Sequence, residues 1–184
     1  MKAGRFAAAL LVVALACFGT AALAHDSAAA TTRLRIWFSH SRLNPDPSDC
    51  RAVYLVERLV PRTVAVATAS LNALFAGPTP AEAAQGYHSA FSSVSAGLLK
   101  SIRIRRGSAF VDLHDLRTEL STASSSCGAA GFQAQVTATL LQFSAVQRVS
   151  LAIGGQPQRL HDWLNLTCVP ASSACDARAF QRGP

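Results

Sequence analysis

Apolar residues recur along the central part of the chain with two different periods. The alternation of Leu34, Ile36 and Phe38 with charged or aromatic neighbours predicts a strand, because successive side chains of a strand point to opposite faces. A segment rich in Val, Leu and Tyr at Ala52–Val60 predicts a second strand. Pro61 ends this strand, since proline cannot donate a hydrogen bond to a neighbouring strand.

The longer period predicts two helices. Apolar residues recur at helical spacing over residues 63–76, and Gly77 is suited to follow the end of that helix in a left-handed conformation. Thr79 and Glu82 have the spacing of a capping box, which predicts a further short helical turn. One apolar face over residues 128–142 predicts the second helix.

Three more strands are predicted. Leu98–Arg106 and Ser108–His114 alternate in polarity around a tight turn at Gly107, and Val149–Ile153 forms the last strand. The predicted order is β-β-α-β-β-α-β, with two helices packed on one mixed sheet of about four to five strands, an α+β fold. Residues 156–184 are expected to form an irregular C-terminal tail.

The first residues have the pattern of an export signal. A basic start, an uncharged run at Phe6–Cys17 and a small-residue site predict a signal peptide over residues 1–24, cleaved between Ala24 and His25. The small polar residues 25–31 then predict a linker to a folded domain over residues 32–155. We therefore expect a periplasmic or other extracytoplasmic envelope protein.

A second interpretation of the export signal is a lipoprotein. Ala14–Cys17 is similar to a bacterial lipobox, in which the cysteine is lipidated and becomes the first mature residue. Membrane attachment is expected only if Cys17 is lipidated, whereas cleavage before His25 would release the protein.

Composition narrows the class of protein. Half of the 184 residues are hydrophobic, 15% are charged, and the formal net charge is +7. This balance argues against intrinsic disorder, a polytopic membrane protein and a coiled coil. Loss of the signal peptide lowers the net charge to +5. Export makes nucleic acid an improbable partner despite that charge.

Four cysteines remain in the exported part of the chain, and spacing alone cannot choose among their three pairings. Cys168 and Cys175 are close in sequence, so a local bridge between them is expected, which leaves Cys50 to pair with Cys127. A zinc site is less favoured, because the chain has no C-x-x-C pair.

Several motifs resemble the GerMN domain, which is named for bacterial sporulation and spore-germination proteins. The segment Ala73–Glu82 is similar to the Leu-x-x-Gly-Pro-Thr-x-x-Glu signature of that domain. The resemblance extends over about residues 50–155. Further matches follow in the family's order at Ile102–Gly107, Ala109–Leu113, Gln133–Phe143 and Val146–Gly154.

The resemblance implies an exported or lipid-anchored envelope domain without a defined biochemical activity. We therefore expect no enzymatic activity, no cofactor and no bound metal. The expected role is protein–protein contact in assembly, with envelope proteins or a second copy of the chain as partner. Cysteines matching Cys50 and Cys127 recur in one branch of the family, which supports their pairing.

A hydrolase is the alternative with the least support. Histidines with acidic or serine neighbours could take part in catalysis or bind a metal, but no Gly-x-Ser-x-Gly motif surrounds any serine. An exposed strand face explains Asp112 and His114 without catalysis, and solvated turns explain the two His-Asp pairs at His114 and His161 without a metal. These candidates are Asp112, His114 and Asp115, then His161 and Asp162, then Ser39, His40 and Ser41.

Arg103, Arg105 and Arg106 form the main basic cluster, and the first two project to one face of their strand. Such a patch fits an anionic envelope surface, such as phospholipid headgroups or wall polymers, or an acidic protein partner. A solvated strand face is the competing interpretation.

Overall fold

The computed structural model of the chain describes residues 30–169 and 175–181. The predicted signal peptide, its cleavage position before His25, and Cys17 lie outside the described residues. The strands are β1 (Thr31–His40), β2 (Tyr54–Pro61), β3 (Tyr87–His88), β4 (Leu99–Arg105), β5 (Ser108–Leu113) and β6 (Arg148–Ile153). The helices are α1 (Val66–Phe75), α2 (Pro80–Gln85), α3 (Ser126–Leu141), α4 (Pro157–Trp163) and α5 (Arg178–Gln181).

The strands form two three-stranded sheets. The first has the order β2-β1-β3 and is antiparallel throughout. The second has the order β4-β5-β6, with β5 antiparallel to β4 and parallel to β6. Arg106 and Gly107 both have positive φ, as a tight two-residue hairpin turn requires, so the predicted turn between β4 and β5 is confirmed.

The α+β class is confirmed, but the prediction of one mixed sheet with two helices is wrong. Side chains of α3 occupy the edge of β1 that faces away from β2. Thr139 accepts a hydrogen bond from the Trp37 amide at 3.3 Å, and Gln142 donates one to the Arg35 carbonyl at 2.8 Å. Because those groups of β1 are already bonded, the later strands pair in a sheet of their own.

The core lies where the helices pack against the two sheets. α1 and α3 both cover β1, and they also contact β4 and β6 respectively. Aromatic rings connect the layers. The ring centroid of Phe91 lies 5.0 Å from those of Phe75 and Phe132, and the ring centroid of Trp163 lies 5.8 Å from that of Phe132. Burial of large apolar rings stabilises a fold.

The end of the chain is more regular than the sequence predicts. The expected irregular tail contains α4 and α5, and it buries Leu160, Leu164 and Phe180. Pro157 stands in the first turn of α4, where its missing N–H leaves no helical hydrogen bond unmade. α4 packs on β6, so the core continues beyond residue 155.

One arginine joins β2 to the two helices that follow it. The guanidinium of Arg58 donates to both carboxylate oxygens of Glu82, at 2.8 and 2.5 Å. It also donates to the carbonyls of Ala73 and Gly77, at 2.9 and 2.8 Å, where α1 ends. Its carbon Cζ lies 5.4 Å from the centre of the Phe38 ring, a cation–π contact.

The Gly-Pro-Thr-x-x-Glu segment, residues 77–82, surrounds the Arg58 side chain from the helix side. We call Arg58 and this segment together the corner. Gly77 has a φ of +77°, and a Cβ there would lie 2.4 Å from the carbonyl oxygen of Phe91. Thr79 caps α2 by accepting from the Glu82 amide, and the Glu82 carboxylate accepts from the Thr79 amide. The predicted capping box is therefore confirmed, and its carboxylate is the one that binds Arg58.

The same contacts control the charge of Glu82. Burial alone would raise the pKa of this carboxyl, but the hydrogen bonds and charge of Arg58 and the Thr79 cap outweigh it and hold the pKa below its ordinary value. A lowered folded-state pKa stabilises the protein at pH values above the ordinary pKa. That contribution is lost as the pH falls through the folded-state pKa.

Two disulfides restrain the fold. Cys50 is bonded to Cys127, which attaches the loop after β1 to the first turn of α3 across 77 residues of sequence. Cys168 is bonded to Cys175, which closes a short loop between α4 and α5. These are the two pairs expected from the sequence.

We predict that Glu82→Gln lowers the free energy of unfolding by about 2–3 kcal/mol at pH 7, because it leaves the Arg58 charge without its carboxylate. Glu57→Gln is the matched control, since Glu57 pairs with Arg33 and Arg35 on the surface and should cost below about 1 kcal/mol. Urea unfolding measures both. An equal loss of unfolding free energy in the two variants would contradict a special contribution of the Arg58–Glu82 pair to stability.

The wild type should also lose part of its stability as the pH falls below the ordinary pKa of a glutamate and through the lowered pKa of Glu82, and Glu82→Gln should lack that part of the loss. Urea unfolding of both proteins between neutral and acidic pH measures the difference. Parallel pH profiles would contradict the lowered pKa of Glu82.

We predict that removing the long-range disulfide costs more than removing the local one. The paired substitution Cys50→Ala with Cys127→Ala should cost about 4 kcal/mol, and Cys168→Ala with Cys175→Ala about 2 kcal/mol, from the loop entropy each bond removes. Thermal unfolding of the two double variants tests this order, and the reverse order would refute it.

Candidate functional site

Asp112 is a structural residue. The sequence predicts it on an exposed strand face, which is wrong, because the residue is only 8% exposed. Its carboxylate accepts a hydrogen bond from the Gly155 amide at 2.6 Å and lies 3.1 Å from the Lys100 ammonium. The carboxylate thus fastens the turn after β6 to β5, and both of its oxygens are engaged.

His114 and Asp115 follow β5 and are exposed. Asp115 binds the Arg117 guanidinium through both carboxylate oxygens, each at 2.8 Å. The hydrogen bond from Arg117 holds the pKa of Asp115 below its ordinary value. The carboxylate is therefore committed to arginine rather than to His114, and the two do not form an acid–base pair.

His161 lies beside the second disulfide. Its Nδ1 is 3.2 Å from the Thr167 carbonyl, and its Nε2 is 3.9 Å from the sulfur of Cys175. Cys168 and Cys175 are the other two potential metal ligands near this ring, but a metal needs thiolates and both sulfurs are bonded to each other. Asp162 accepts a hydrogen bond within α4 and does not join them.

The predicted basic cluster is divided by α5. Arg103 donates to the carbonyls of Ala179 and Phe180 and is half-buried beneath that helix. The Phe180 ring packs edge-on against Phe110 at 5.6 Å. Arg105 and Arg106 remain exposed at the β4–β5 turn, so the basic surface is smaller than the sequence predicts.

The third candidate group, Ser39 to Ser41, lies at a cleft of about 390 Å³. Four segments line this cleft: the end of β1 at Ser39–His40, the loop at Ser41–Ala52, the residues His88–Ala90, and the first half of α3 at Cys127–Gln135. The bond from Cys50 to Cys127 joins the loop wall to the α3 wall.

His40 is held in one tautomer at this cleft. The residue is 6% exposed, and its ring packs edge-on between Tyr54 and Tyr87, with ring centroids 5.8 and 4.6 Å apart. The Nδ1 atom accepts hydrogen bonds from the amides of Arg42 and Leu43, each at 3.0 Å. Nδ1 therefore carries a lone pair, and Nε2 carries the proton of the neutral ring.

A buried glutamine organises the hydroxyl groups beside His40. Gln135 is 3% exposed, accepts from the Ser89 hydroxyl at 2.6 Å and donates to the Ser39 hydroxyl at 3.2 Å. Ser89 in turn accepts from the Phe91 amide at 3.0 Å. Sequence reasoning missed Gln135 and Ser89, although a glutamine on the apolar face of α3 is a signal that could have identified the network.

The cleft is not a serine–histidine catalytic pair. In the described part of the chain, neither the Ser39 nor the Ser41 hydroxyl is hydrogen-bonded to His40, because the Ser41 hydroxyl donates to the Gly86 carbonyl at 3.3 Å and Ser39 accepts from Gln135. The basic nitrogen of His40 is occupied by two backbone amides. The site can donate hydrogen bonds, but it cannot activate a serine in this arrangement.

A different surface lies on the outer face of the first sheet. Arg33, Arg35 and Trp37 point away from the helices, and their cross-strand neighbours on β2 are Leu59, Glu57 and Leu55. Leu59 is 66% exposed and Leu55 is 36% exposed. We call these six residues the open face.

Within residues 30–169 and 175–181, no helix is both long and apolar enough to cross a membrane. No curated protein matches the chain. The solved structures that are similar to it include two of the sporulation protein GerM of Bacillus subtilis.

The tandem GerMN domains of that protein share 18% identity with the chain at a TM-score of 0.47, over 68% of this chain and 40% of that one. The first GerMN domain alone shares 18% identity at a TM-score of 0.42, over 67% of this chain and 84% of that one. The chain thus spans less than half of the tandem structure.

The family match covers both the corner and most of the residues around the cleft. The model of the Germane family, described as sporulation and spore germination, matches residues 42–159. That span runs from the loop after β1 through the Gly-Pro-Thr-x-x-Glu segment to the middle of α4. The chain therefore belongs to the Germane family of sporulation and spore-germination domains.

Proposed function

We propose that the protein is a non-catalytic module of the cell envelope that acts by binding another protein through the open face. Membership of the Germane family and the export signal in the sequence support an envelope location. The protein would be released into the periplasm or its equivalent, or anchored there if Cys17 is lipidated.

The observation that carries the proposal is the exposure of apolar side chains on the open face. Leu55 and Leu59 lie opposite Trp37 and Arg33 on a rigid pair of strands. Large exposed leucines gathered with a tryptophan and arginines have the composition of a protein contact surface, in which aromatic and arginine side chains are enriched.

The charge of the open face favours a partner whose contact surface has acidic residues around its apolar centre. Arg33 and Arg35 both lie close to Glu57, at 2.7 and 3.6 Å, so two positive charges share one negative charge. The excess positive charge would attract an acidic group, and the apolar centre would supply most of the binding energy.

The candidate catalytic groups are already bonded to other groups of the protein, and this supports a non-catalytic role. Asp112 and Asp115 are bound to Lys100 and Arg117, and the His40 base is bonded to backbone amides. Arg103 supports α5, which weakens the alternative in which a basic strand binds wall polymer or anionic lipid.

We predict that a photo-crosslinking residue at position 59 captures a partner protein in intact envelopes, and that the same residue at position 94 does not. Val94 is the matched control because it is 61% exposed, close to the 66% of Leu59, but lies in a turn between β3 and β4. Leu59→Glu should reduce co-purification of the captured protein about tenfold, and Val94→Glu should not.

Capture at both positions, or unchanged co-purification of Leu59→Glu, would refute the open face as the contact surface. Capture of a second copy alone would replace the proposed partner with self-association. Charge reversal at Arg105 and Arg106 should leave the crosslink from position 59 unchanged. If this variant loses the crosslink, the basic cluster would be favoured as the contact surface instead.

A further inference from the structure

We propose that the Cys168–Cys175 bond is a redox-active disulfide, which exchanges with the dithiol of a partner protein and uses His161 as its proton carrier. This inference does not depend on the proposed function. α4 packs on β6 and α5 packs on β5 of the second sheet, whereas the open face belongs to the first sheet. The proposal rests on the imidazole that lies against one of the two sulfur atoms.

The disulfide and the imidazole form one accessible group. Cys168, Cys175 and His161 are each partly exposed, so an incoming thiol can reach them from solvent. A ring nitrogen of His161 and the two sulfur atoms all lie within 4.8 Å of one another. Thiol–disulfide exchange requires this kind of access to the sulfur that is attacked.

His161 is held at the end of α4 with its two ring nitrogens in different roles. Leu160 and Leu164 flank it along the chain and are buried, which anchors this end of the helix. Nδ1 lies 3.2 Å from the Thr167 carbonyl oxygen, which can only accept, so Nδ1 carries the proton of that contact. Nε2 of the neutral ring therefore presents a lone pair at 3.9 Å from the sulfur of Cys175.

An imidazole in this position assists exchange in both directions. A disulfide breaks faster when the sulfur that leaves is stabilised as a thiolate or receives a proton, and a neighbouring histidine can do either. In the reduced protein the same Nε2 lone pair can take the proton of the Cys175 thiol and make that sulfur the nucleophile. His161 thus selects Cys175 as the leaving sulfur and Cys168 as the sulfur that a partner attacks.

The exchange consists of two displacements. A thiol of the partner gives its proton to His161 Nε2 and attacks the Cys168 sulfur, and a mixed disulfide forms. The Cys168–Cys175 bond breaks, its electron pair goes to the Cys175 sulfur, and Nε2 passes the proton to that sulfur. The partner's second thiol then attacks its own half of the mixed disulfide, and Cys168 leaves with the proton of that thiol. The partner dithiol is oxidised to a disulfide, and the disulfide of this chain is reduced to two thiols.

The other disulfide is built to resist the same reaction. It closes a loop of 77 positions, against 7 for Cys168–Cys175, so it constrains the chain more strongly. A Cβ on Gly131 would come within 3.3 Å of the Cys50 carbonyl, which shows that the loop and α3 are in close contact there. A mixed disulfide at Cys50 would therefore tend to re-close on Cys127 before a second thiol acted.

Opening the Cys168–Cys175 bond would act on α5. This helix begins three positions after Cys175, and a helix of four residues has little stability of its own. Besides the disulfide, it is held by the Phe180 ring against Phe110 and by the hydrogen bonds that Arg103 donates to its last carbonyls. Loss of the covalent anchor should loosen α5 and uncover Arg103, which would enlarge the basic surface at the β4–β5 turn.

The test is limited reduction of the disulfide-bonded protein with dithiothreitol, a small dithiol, followed by alkylation and peptide mapping. Cys168–Cys175 should open about tenfold faster than Cys50–Cys127. His161→Gln should slow the opening of Cys168–Cys175 about tenfold and leave the rate at the other bond unchanged, because glutamine cannot carry the proton. Unchanged melting temperatures of the oxidised variants would exclude loss of folding.

His114→Gln is the matched control, because His114 is an exposed histidine after β5 and should change neither rate. After selective opening, the amide NMR signals of Phe110 and Phe180 should shift, since the two rings lie 5.6 Å apart and the Phe180 ring would move. The signal of Thr139 on α3 should stay in place.

Equal rates at the two disulfides, or an unchanged rate in His161→Gln, would overturn the proposal. Unchanged signals of Phe110 and Phe180 after selective opening would overturn the control of α5 by the disulfide. Crosslinking at position 59 is independent of each of these outcomes.

Discussion

The partly buried ion pair between Arg58 and Glu82 is the contact that joins the first sheet to its helices. A guanidinium can leave water at low cost only when its donors are satisfied. Here the donors reach the Glu82 carboxylate and two carbonyls at the end of α1, whose helical partners are missing. The arginine thus caps one helix, binds the capping box of the next and fastens both to β2.

This corner explains why the family signature identifies a fold more readily than a function. Gly77 lies against the Phe91 backbone, Thr79 caps α2, and the Glu82 carboxylate is divided between Thr79 and Arg58. The functional groups that make the signature recognisable are all engaged inside the protein. A binding surface must therefore be sought in other residues, and the residues of the open face all lie outside this segment.

Local features were predictable because neighbouring residues determine them. The capping box at Thr79 and the hairpin at Gly107 follow from steric and hydrogen-bonding rules within a few residues. The number of sheets was not predictable in this way, since it depends on Thr139 and Gln142 meeting β1 more than one hundred positions earlier in the chain. The helix α4 was missed because seven residues are too few for a clear period.

The polar residues of α3 connect the fold to the cleft. Gln135 and Thr139 are four positions apart on a face that otherwise buries Phe132, Val136 and Leu140. A polar group in such a face destabilises the protein unless it is hydrogen-bonded, so its presence implies a partner from another element. Thr139 bonds the edge of β1 and separates the sheets, and Gln135, one turn earlier, bonds the end of β1 and shapes the cleft. The face that separates the two sheets therefore also forms a wall of the cleft.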